Sequence, residues 1–496
     1  MKNIVLSTLT ILSLLTVSCS DDDPGSQEPN VVLQSEVNGF VWKAMNHWYF
    51  WQEDVPRLAD TQDDDIDEFN TYLNGFSSSE SLFESLRFSA DDFSWYIDDV
   101  QAQLNSFNGI TESYGLGLPS NIVRVQQGSD DIVIFVAYVV PGSPADLAGI
   151  KRGDLIYKVN GSVLNVNNAA LINKVFTDTS ITLGVAKFEN GSLNPIGADR
   201  SITAVNLSIN PVHYSSVIEE DGKKIGYLVY NRFTSTYHGE LNAVFTNFKN
   251  QAIDELVLDL RYNPGGAVLT SSYLSSMIEG TINGGLPFAS LTYNAKRNPV
   301  NEFIYRYSNE AALFDKQTGD FTTNITMSRL ENLNRVYVLT SRRTASASEM
   351  IINGLRPSMD VIVVGTTTVG KNEGSFTVVD APAIGNTQIF TDTDNRNSNH
   401  TVGLQPIVFQ IFNSLGQSDY AEGFEANIAV DELDFTANIL PFGDTDEPLL
   451  RAAIDAINAA TKSFEIPPTK VELLEKIKYK KFTDAMYMLP GEEKFY

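Results

Sequence analysis

Two residues in the C-terminal half of the chain have the types and the spacing of a nucleophile and its base. Ser346 and Lys371 lie 25 residues apart. A serine hydroxyl attacks a carbonyl carbon only when a base removes its proton, and lysine is an alternative to histidine for that task. Burial among apolar groups disfavours the ammonium form and prepares a lysine to act as a base. The pair predicts a Ser-Lys dyad, and the alternative is a helix-capping serine and a surface lysine.

Short β-branched segments on both sides of these residues predict how they are positioned. Residues 336–339 and 361–364 are typical of buried strands, and a helix is predicted to begin near Ser346. In such a β-α-β unit, the start of the helix and the loop after the second strand lie at the same end of the sheet. We therefore expect Ser346 and Lys371 to face each other.

A glycine-rich turn upstream supplies a third element of the same chemistry. The sequence LVLDLRYNPGGA, residues 256–267, predicts a buried strand, a Pro-Gly-Gly turn and then a helix over residues 268–278. Backbone N–H groups freed by such a turn form a concavity that binds anions. An oxyanion hole requires this feature. The alternative is an ordinary strand-turn-helix junction.

These three segments together resemble the C-terminal-processing (tail-specific) peptidases of family S41. The resemblance rests on LDLRYNPGG at residues 258–266, SASE at residues 346–349 and VVGTTTVGK at residues 363–371. It covers roughly residues 114–450, and the combination of motifs is specific. The resemblance implies a serine-type peptidase that acts on polypeptides and needs no metal or cofactor.

The resemblance also implies a role for each site residue. Ser346 would be the nucleophile and Lys371 the general base. The amide of Ala347 and one amide from the Gly265–Gly266 turn would form the oxyanion hole. Glu349 matches the glutamate of the family's SASE motif and is taken as a third catalytic residue.

Three readings compete with this assignment. Many family members carry Gln four residues after the lysine, whereas this chain has Ser375, so the lysine amine must be oriented by the Ser375 hydroxyl or by another group. Ser348 is a rival nucleophile two residues after Ser346. A catalytically silent scaffold that only binds peptides is the alternative function.

A second motif upstream resembles a PDZ domain. The stretch GSPADLAGIKRGDLIYKVNG, residues 142–161, matches the PDZ core. The glycines of its carboxylate-binding loop would free backbone amides for a peptide's C-terminal carboxylate, while the peptide adds as a strand. The alternative is a PDZ fold that no longer binds termini. The loop residues expected to bind substrate are Tyr114, Gly115, Leu116, Gly117 and Leu118. Arg232, after the strand predicted at residues 227–230, is expected to contact the peptide backbone or, equally well, to form an ion pair.

The N-terminus resembles a bacterial lipoprotein signal. A lysine at position 2 precedes an apolar stretch over residues 4–17, which is too short to span a membrane as a mature helix. Cys19, the only cysteine, would then be acylated. This predicts a protein of the cell envelope, lipid-anchored to the outer membrane and either periplasmic or surface-exposed. The alternatives are a plain secretory signal and, for the aromatic N-terminal region, a carbohydrate-related surface lipoprotein.

Charge and histidine content narrow the function further. The net charge of −27 argues against nucleic acid as a partner, because no basic surface is available to neutralise phosphates. Four histidines are scattered without metal-ligand spacing: His47, His213, His238 and His400. We interpret them as structural or surface residues, although His213 or His238 could still partner a serine.

The fold class expected is a multi-domain α/β protein with a catalytic domain of the crotonase-like/ClpP type that the family implies. The N-terminal region shows helical periodicity, and its aromatic cluster, including Trp42 and Trp48, is interpreted as core. The basic C-terminal tail packs on the acidic body, contacts a membrane or mediates self-association. The predicted units are a signal peptide (1–18), an acidic tether (19–30), a helical domain (31–108), a PDZ-like domain (109–207), a catalytic domain (208–462) and the tail (463–496).

Overall fold

The computed structural model describes residues 30–118, 121–124, 128–189, 192–301, 303–383, 390–434, 439–459, 472–476 and 486–488. The predicted signal peptide and Cys19 lie outside the described residues. Within those ranges, no helix combines the length and the apolar composition that crossing a bilayer requires.

Eleven α-helices lie in the described ranges. Side-chain caps begin several of them; Ser35, for example, accepts a hydrogen bond from the Asn38 amide at the start of the first helix. The helices are α1 (Glu36–Trp48), α2 (Ile66–Asn74), α3 (Ser79–Ser85), α4 (Val100–Phe107), α5 (Pro144–Leu147), α6 (Lys174–Thr177), α7 (His238–Gln251), α8 (Val268–Ile278), α9 (Asn298–Asn301), α10 (Ala347–Leu355) and α11 (Pro448–Ile457). Short 3-10 helices cover Gln52–Asp54, Pro56–Leu58, Asp60–Asp63, Ala169–Asn173 and Ser235–Tyr237.

The strands of the same ranges form seven sheets. In chain order they are β1 (Trp95–Ile97), β2 (Ile110–Ser113), β3 (Leu116–Gly117), β4 (Asn121–Arg124), β5 (Ile132–Phe135), β6 (Tyr138–Val139), β7 (Leu155–Val159), β8 (Ser162–Val163), β9 (Ser180–Glu189), β10 (Ser192–Pro195), β11 (Arg200–Thr203), β12 (Val205–Ser208), β13 (Val212–Glu220), β14 (Lys223–Tyr230), β15 (Glu255–Asp259), β16 (Pro287–Tyr293), β17 (Phe303–Arg306), β18 (Glu310–Phe314), β19 (Phe321–Thr326), β20 (Arg335–Thr340), β21 (Asp360–Gly365), β22 (Glu373–Ser375), β23 (Val378–Val379), β24 (Gly403–Gln405), β25 (Ile407–Asn413), β26 (Ile428–Ala429) and β27 (Glu472–Lys476).

The central sheet has the order β13-β14-β15-β20-β21-β26 and carries the predicted β-α-β unit. All of its pairs are parallel except the β13–β14 hairpin. Alternate side chains point to opposite faces: Leu258 and Val338 pack with α7, α8 and α10, whereas Val257 and Leu339 pack with α11. Burial of both faces explains why these strands are almost continuously apolar.

The register of the central sheet sets the position of the active segments. Leu258 pairs with Val338 on β20, and Leu339 pairs with Val364 on β21. Because these strands are parallel and in register, their carboxyl ends meet at one edge of the sheet. The segments that follow β15, β20 and β21 therefore emerge side by side.

A second sheet, ordered β17-β16-β25-β22, packs against the N-terminal helices. Their shared core contains Trp42, Trp48 and Tyr49 together with Leu291 and Phe409. The prediction that the aromatic cluster is core is confirmed for these residues. The predicted catalytic domain also contains β16 to β19: β16 pairs antiparallel with β17 and with the distant β25, whereas β18 and β19 pair with each other.

The PDZ-like region is a β-rich unit built around the sheet β10-β9-β7-β5-β4-β27. Its apolar core includes Ile134, Ile156 and Leu183. The last strand of this sheet, β27, comes from the C-terminal tail and pairs antiparallel with β4. The described parts of the tail therefore pack on the body of the protein.

Candidate active site

Ser346 immediately precedes α10, at the carboxyl edge of the central sheet. Its backbone adopts φ +67° and ψ −121°, a conformation that is costly for a residue with a Cβ and that concentrates at functional sites. The side chain is buried, and its hydroxyl has no hydrogen-bond partner among the described residues. A buried, unpartnered hydroxyl in a strained backbone is the arrangement expected of a nucleophile that waits for its substrate and base.

The glycine turn after β15 contacts the start of α10. A methyl group on Gly265 would lie 2.6 Å from Cβ of Ser346 and 3.0 Å from the amide nitrogen of Ala347. The Gly265 amide itself donates to Oδ1 of Asn263 at 2.9 Å. Of the two glycine amides, that of Gly266 is therefore the better candidate for an oxyanion donor.

Lys371 lies in the loop after β21 and is 1% exposed. Its ammonium nitrogen is 4.5 Å from the ring centroid of Phe93, which belongs to the N-terminal region. The amides of Ser346 and Lys371 donate to the same oxygen, Oε2 of Glu349, at 2.7 and 2.9 Å. The fold thus brings the backbones of the two dyad candidates to one carboxylate.

Glu349 connects the two catalytic segments. Its second oxygen, Oε1, accepts from the Thr368 hydroxyl and from the Gly370 amide, each at 2.6 Å. Burial raises the pKa of the Glu349 carboxyl above its ordinary value, although the four hydrogen bonds oppose this rise. Because these bonds occupy both oxygens, Glu349 has the contacts of a residue that positions the loop relative to the helix.

The other two serines considered for the site are engaged elsewhere. The Ser348 hydroxyl donates to the Asn263 carbonyl at 3.0 Å and holds the glycine turn against α10. The Ser375 hydroxyl donates to the Met486 carbonyl at 3.1 Å and accepts from Gln405 at 2.9 Å. Both hydroxyl groups therefore donate to main-chain carbonyls in this state.

The PDZ loop and the catalytic region enclose a common cavity of about 370 Å³. Val140 donates to the Gly115 carbonyl and Ala137 to the Gly117 carbonyl, which fixes the loop beside β6. Arg343 and Pro264, the latter next to the glycine turn, also line the cavity. The predicted substrate-binding residues that line it are Tyr114, Leu116, Gly117, Leu118 and Arg232, whereas Gly115 does not.

A buried charge network, which the sequence analysis did not identify, connects the PDZ-like region to the glycine turn. Arg152, from the PDZ core motif, donates to Glu432 at 2.6 Å and to the Tyr262 hydroxyl at 2.8 Å. Arg261 is fully buried and bonds to Glu432, to Glu447 and, through parallel contacts, to Asp259. Arg261 and Tyr262 lie in the LDLRYNPGG motif, so the segment that leads into the glycine turn is held by charges from distant segments.

The histidines occupy ordinary structural positions. His238 contacts the Ala312 carbonyl through Nδ1 at 2.7 Å and the Thr270 hydroxyl through Nε2 at 2.8 Å. Burial lowers its pKa to about 4, so the ring is neutral near pH 7. His213 packs against Tyr138 and Phe442.

Three family models match the chain in the order that the motifs predict. The model for peptidase family S41 matches residues 224–382, which include the glycine turn, Ser346 and Lys371. The model for the peptidase S41 N-terminal domain matches residues 36–95, and a PDZ domain model matches residues 135–170. The chain therefore contains a peptidase S41 domain, an S41 N-terminal domain and a PDZ domain. The family's members are serine peptidases, so the predicted reaction class and the expected multi-domain α/β fold are both confirmed.

Relatives of this S41 peptidase are processing proteases. The "Carboxyl-terminal-processing protease" of Picosynechococcus sp. is 23% identical over 394 residues, covering 77% of this chain and 83% of the relative. The "Carboxyl-terminal-processing peptidase 1, chloroplastic" of Arabidopsis thaliana is 24% identical, and the match covers 71% of this chain but 65% of the relative. A crystal structure assigned to an S41 protease of Bacteroides fragilis has a TM-score of 0.65 and 27% identity, covering 85% of this chain and 97% of that one.

Proposed function

We propose that this S41 peptidase is an endopeptidase that uses Ser346 as nucleophile and Lys371 as general base. Lys371 takes the hydroxyl proton as Ser346 attacks the scissile carbonyl, and the amides of Ala347 and Gly266 stabilise the oxyanion. The tetrahedral intermediate collapses to an acyl-enzyme, and Lys371 returns the proton to the leaving amine. A water molecule, deprotonated by Lys371, then hydrolyses the ester and restores the Ser346 hydroxyl.

The observation that carries this proposal is the sharing of Glu349 by both catalytic segments. One carboxylate oxygen accepts from the amides of Ser346 and Lys371. A single buried group thus fixes the distance between the nucleophile's helix and the base's loop. Reaction requires the Lys371 amine, which lies over the Phe93 ring in this state, to come within hydrogen-bond distance of the Ser346 hydroxyl, which has no partner here.

The dyad is tested with residues 20–496 and an unfolded protein substrate. We expect cleavage by the parent and a loss of at least about 10³-fold in Ser346→Ala and Lys371→Met, because each removes a member of a cooperative unit. Ser348→Ala is the matched control, since it truncates a neighbouring buried serine; it loses one hydrogen bond to the Asn263 carbonyl and should keep cleavage within about tenfold of the parent. Cleavage by Ser346→Ala but not by Ser348→Ala would transfer the nucleophile to Ser348. Tail-peptide binding without cleavage by any protein would favour the silent scaffold.

We also propose that the 370 Å³ cavity receives the C-terminal carboxylate of a substrate. The YGLGL loop would supply backbone amides, and Arg232, which also lines the cavity, would supply positive charge. Peptides with free and amidated C-termini distinguish this role from a structural one. The parent should bind the free form at least tenfold more tightly, and Arg232→Ala should reduce that preference while leaving the affinity for the amidated form unchanged.

The localisation and the domain limits are further parts of the proposal. Acylation of Cys19 would anchor the protein in the cell envelope; Cys19→Ser should release it to the soluble fraction and abolish incorporation of labelled palmitate. The proposed domains are residues 31–108, 109–207 and 208–462, and limited proteolysis with mass mapping tests whether cleavage falls at those limits.

A further inference from the structure

A short segment of the C-terminal tail, Met486–Met488, lies beside the oxyanion turn. The Tyr487 amide donates to the Gly266 carbonyl at 3.1 Å, and the Val268 amide donates to the Tyr487 carbonyl at 3.0 Å. This is the pattern of a strand pairing parallel to residues 266–268. The bonded carbonyl belongs to Gly266, the same residue whose amide is proposed to hold the oxyanion.

The opposite edge of the same segment pairs with β22, just beyond the catalytic lysine. The Ser375 amide donates to the Met486 carbonyl at 2.9 Å, and the Met488 amide donates to the Ser375 carbonyl at 3.0 Å. Ser375 is four residues after Lys371. The three tail residues therefore fill a groove, the tail groove, whose walls are residues 266–268 and Ser375.

The side chain of Tyr487 occupies a slot in the floor of the tail groove. Its ring stacks on Phe107 with the centroids 3.7 Å apart and the planes 9° from parallel. Ala267 belongs to the same apolar cluster, and the Tyr487 hydroxyl donates to the Phe107 carbonyl at 3.3 Å. Tyr487 is fully buried, so the slot fits a planar aromatic side chain.

Both walls of the tail groove continue directly into the catalytic machinery. A polypeptide that extends from the Gly266 amide along residues 266–268 would pair with their main-chain groups as an added strand. The tail already makes those hydrogen bonds. In the same state the Ser346 hydroxyl has no partner, and the Lys371 amine packs on Phe93.

We propose that the tail groove is the strand-binding site for substrate polypeptides and that Met486–Met488 is a built-in competitor that occupies it at rest. An incoming chain with an aromatic residue replaces the four backbone hydrogen bonds of the tail with its own. It places its aromatic ring against Phe107. Because the tail is tethered, its effective concentration is high, and it suppresses the binding of poor substrates. This inference rests on the proposed peptidase activity.

The first test compares two substitutions of one residue in the full chain. Tyr487→Ala empties the slot, and we expect kcat/KM for an unfolded protein to rise at least tenfold. A synthetic peptide of residues 482–492, added in trans, should reverse the gain, whereas a scrambled peptide should not. Tyr487→Phe keeps the ring and loses only the hydroxyl contact, so its kcat/KM should stay within about twofold of the parent. Unchanged or lower kcat/KM in a folded Tyr487→Ala variant would contradict the proposal.

The second test does not depend on the folding of any tail variant. Ser346→Ala in the otherwise intact chain is saturated with an aromatic-containing peptide, and amide exchange is followed by mass spectrometry with fragmentation. The Tyr487 and Met488 amides should exchange at least tenfold faster, because their acceptors are taken by the peptide. The Val268 and Ser375 amides should stay protected, because the peptide's carbonyls replace those of the tail.

The outcomes separate this inference from the proposed function. If the peptide binds and none of the four amides changes, the segment is a permanent strand and the inference is wrong, although the peptidase activity stands. If the parent cleaves no unfolded protein and no peptide binds, the proposed function itself is wrong. Loss of protection at all four amides would also refute the inference, because the peptide would then lie outside the tail groove.

Discussion

Replacing Gly265 with alanine tests whether kcat depends on the close contact between the glycine turn and Ser346. The added Cβ would lie 2.6 Å from Cβ of Ser346 and 3.0 Å from its hydroxyl oxygen. Carbon atoms in contact are about 3.5–4.0 Å apart, so the turn and α10 must separate by about 1 Å. A displacement of that size at reacting atoms costs roughly 10²-fold in rate. We expect Gly265→Ala to lower kcat by about 10²-fold.

The same substitution also carries a conformational cost, which a control measures. Gly265 has φ +109°, where a residue with a Cβ is strained by about 1–3 kcal/mol. Gly416 also has a positive φ, +73°, but nothing lies within 4 Å of its added Cβ. Gly416→Ala should therefore lose about 1–2 kcal/mol of unfolding free energy with no change in kcat.

Peptide-cleavage kinetics and denaturant unfolding on the three proteins provide the assay. If Gly265→Ala kept kcat within threefold of the parent while remaining folded, the turn would tolerate displacement from Ser346. The proposed oxyanion geometry would then be wrong. A fall in kcat for Gly416→Ala as large as that for Gly265→Ala would equally show that the effect is not local to the site.

Three further perturbations test the groups around the site. Glu349→Gln places an N–H donor where two amides need an acceptor. We expect kcat to fall about 10²-fold while KM stays within about threefold of the parent. An unchanged kcat would show that Glu349 does not position the two segments. Arg261→Met leaves buried carboxylates without their cation and should lower the unfolding free energy by about 3–5 kcal/mol. The control Arg335→Met removes one member of a partly exposed ion pair and should lower it by about 1 kcal/mol or less. Burial lowers the pKa of His238 from 6.5 to about 4, so the unfolded chain binds a proton first as pH falls. Between pH 6.5 and 4, the unfolding free energy of the parent should therefore fall by about 3 kcal/mol more than that of His238→Gln. Equal falls for the two proteins, measured by chemical denaturation, would refute this.

The catalytic segments could be predicted from the sequence because local patterns encode them. The apolar runs before Ser346 and Lys371 specify parallel strands, and parallel strands in register bring their carboxyl ends together. The Pro-Gly-Gly turn needs positive φ values that glycine adopts without strain, and Gly265 and Gly266 have φ of +109° and +139°. These features depend on neighbours within a few residues.

The remaining features depend on long-range contacts that no local pattern records. Arg152 meets Glu432 across 280 residues, and Ser375 meets Met486 across 111 residues. The three residues Met486–Met488 are too few to show a strand period, and their main-chain partners lie more than 100 residues away in the sequence. The role of Glu349 could not be predicted from the sequence either. Three of the four groups that donate hydrogen bonds to its carboxylate come from a loop 19 to 22 residues away.

Trapping the acyl-enzyme tests the central claim most directly. The full chain is mixed with an activated peptide ester, quenched in acid within one turnover, digested and mapped by mass spectrometry. The account predicts an acyl group on Ser346 in the parent, none on Ser348 and none at all in Lys371→Met, because the hydroxyl then lacks its base. Acylation of Ser348, or acylation of Ser346 at the parent's rate in Lys371→Met, would contradict the Ser-Lys mechanism.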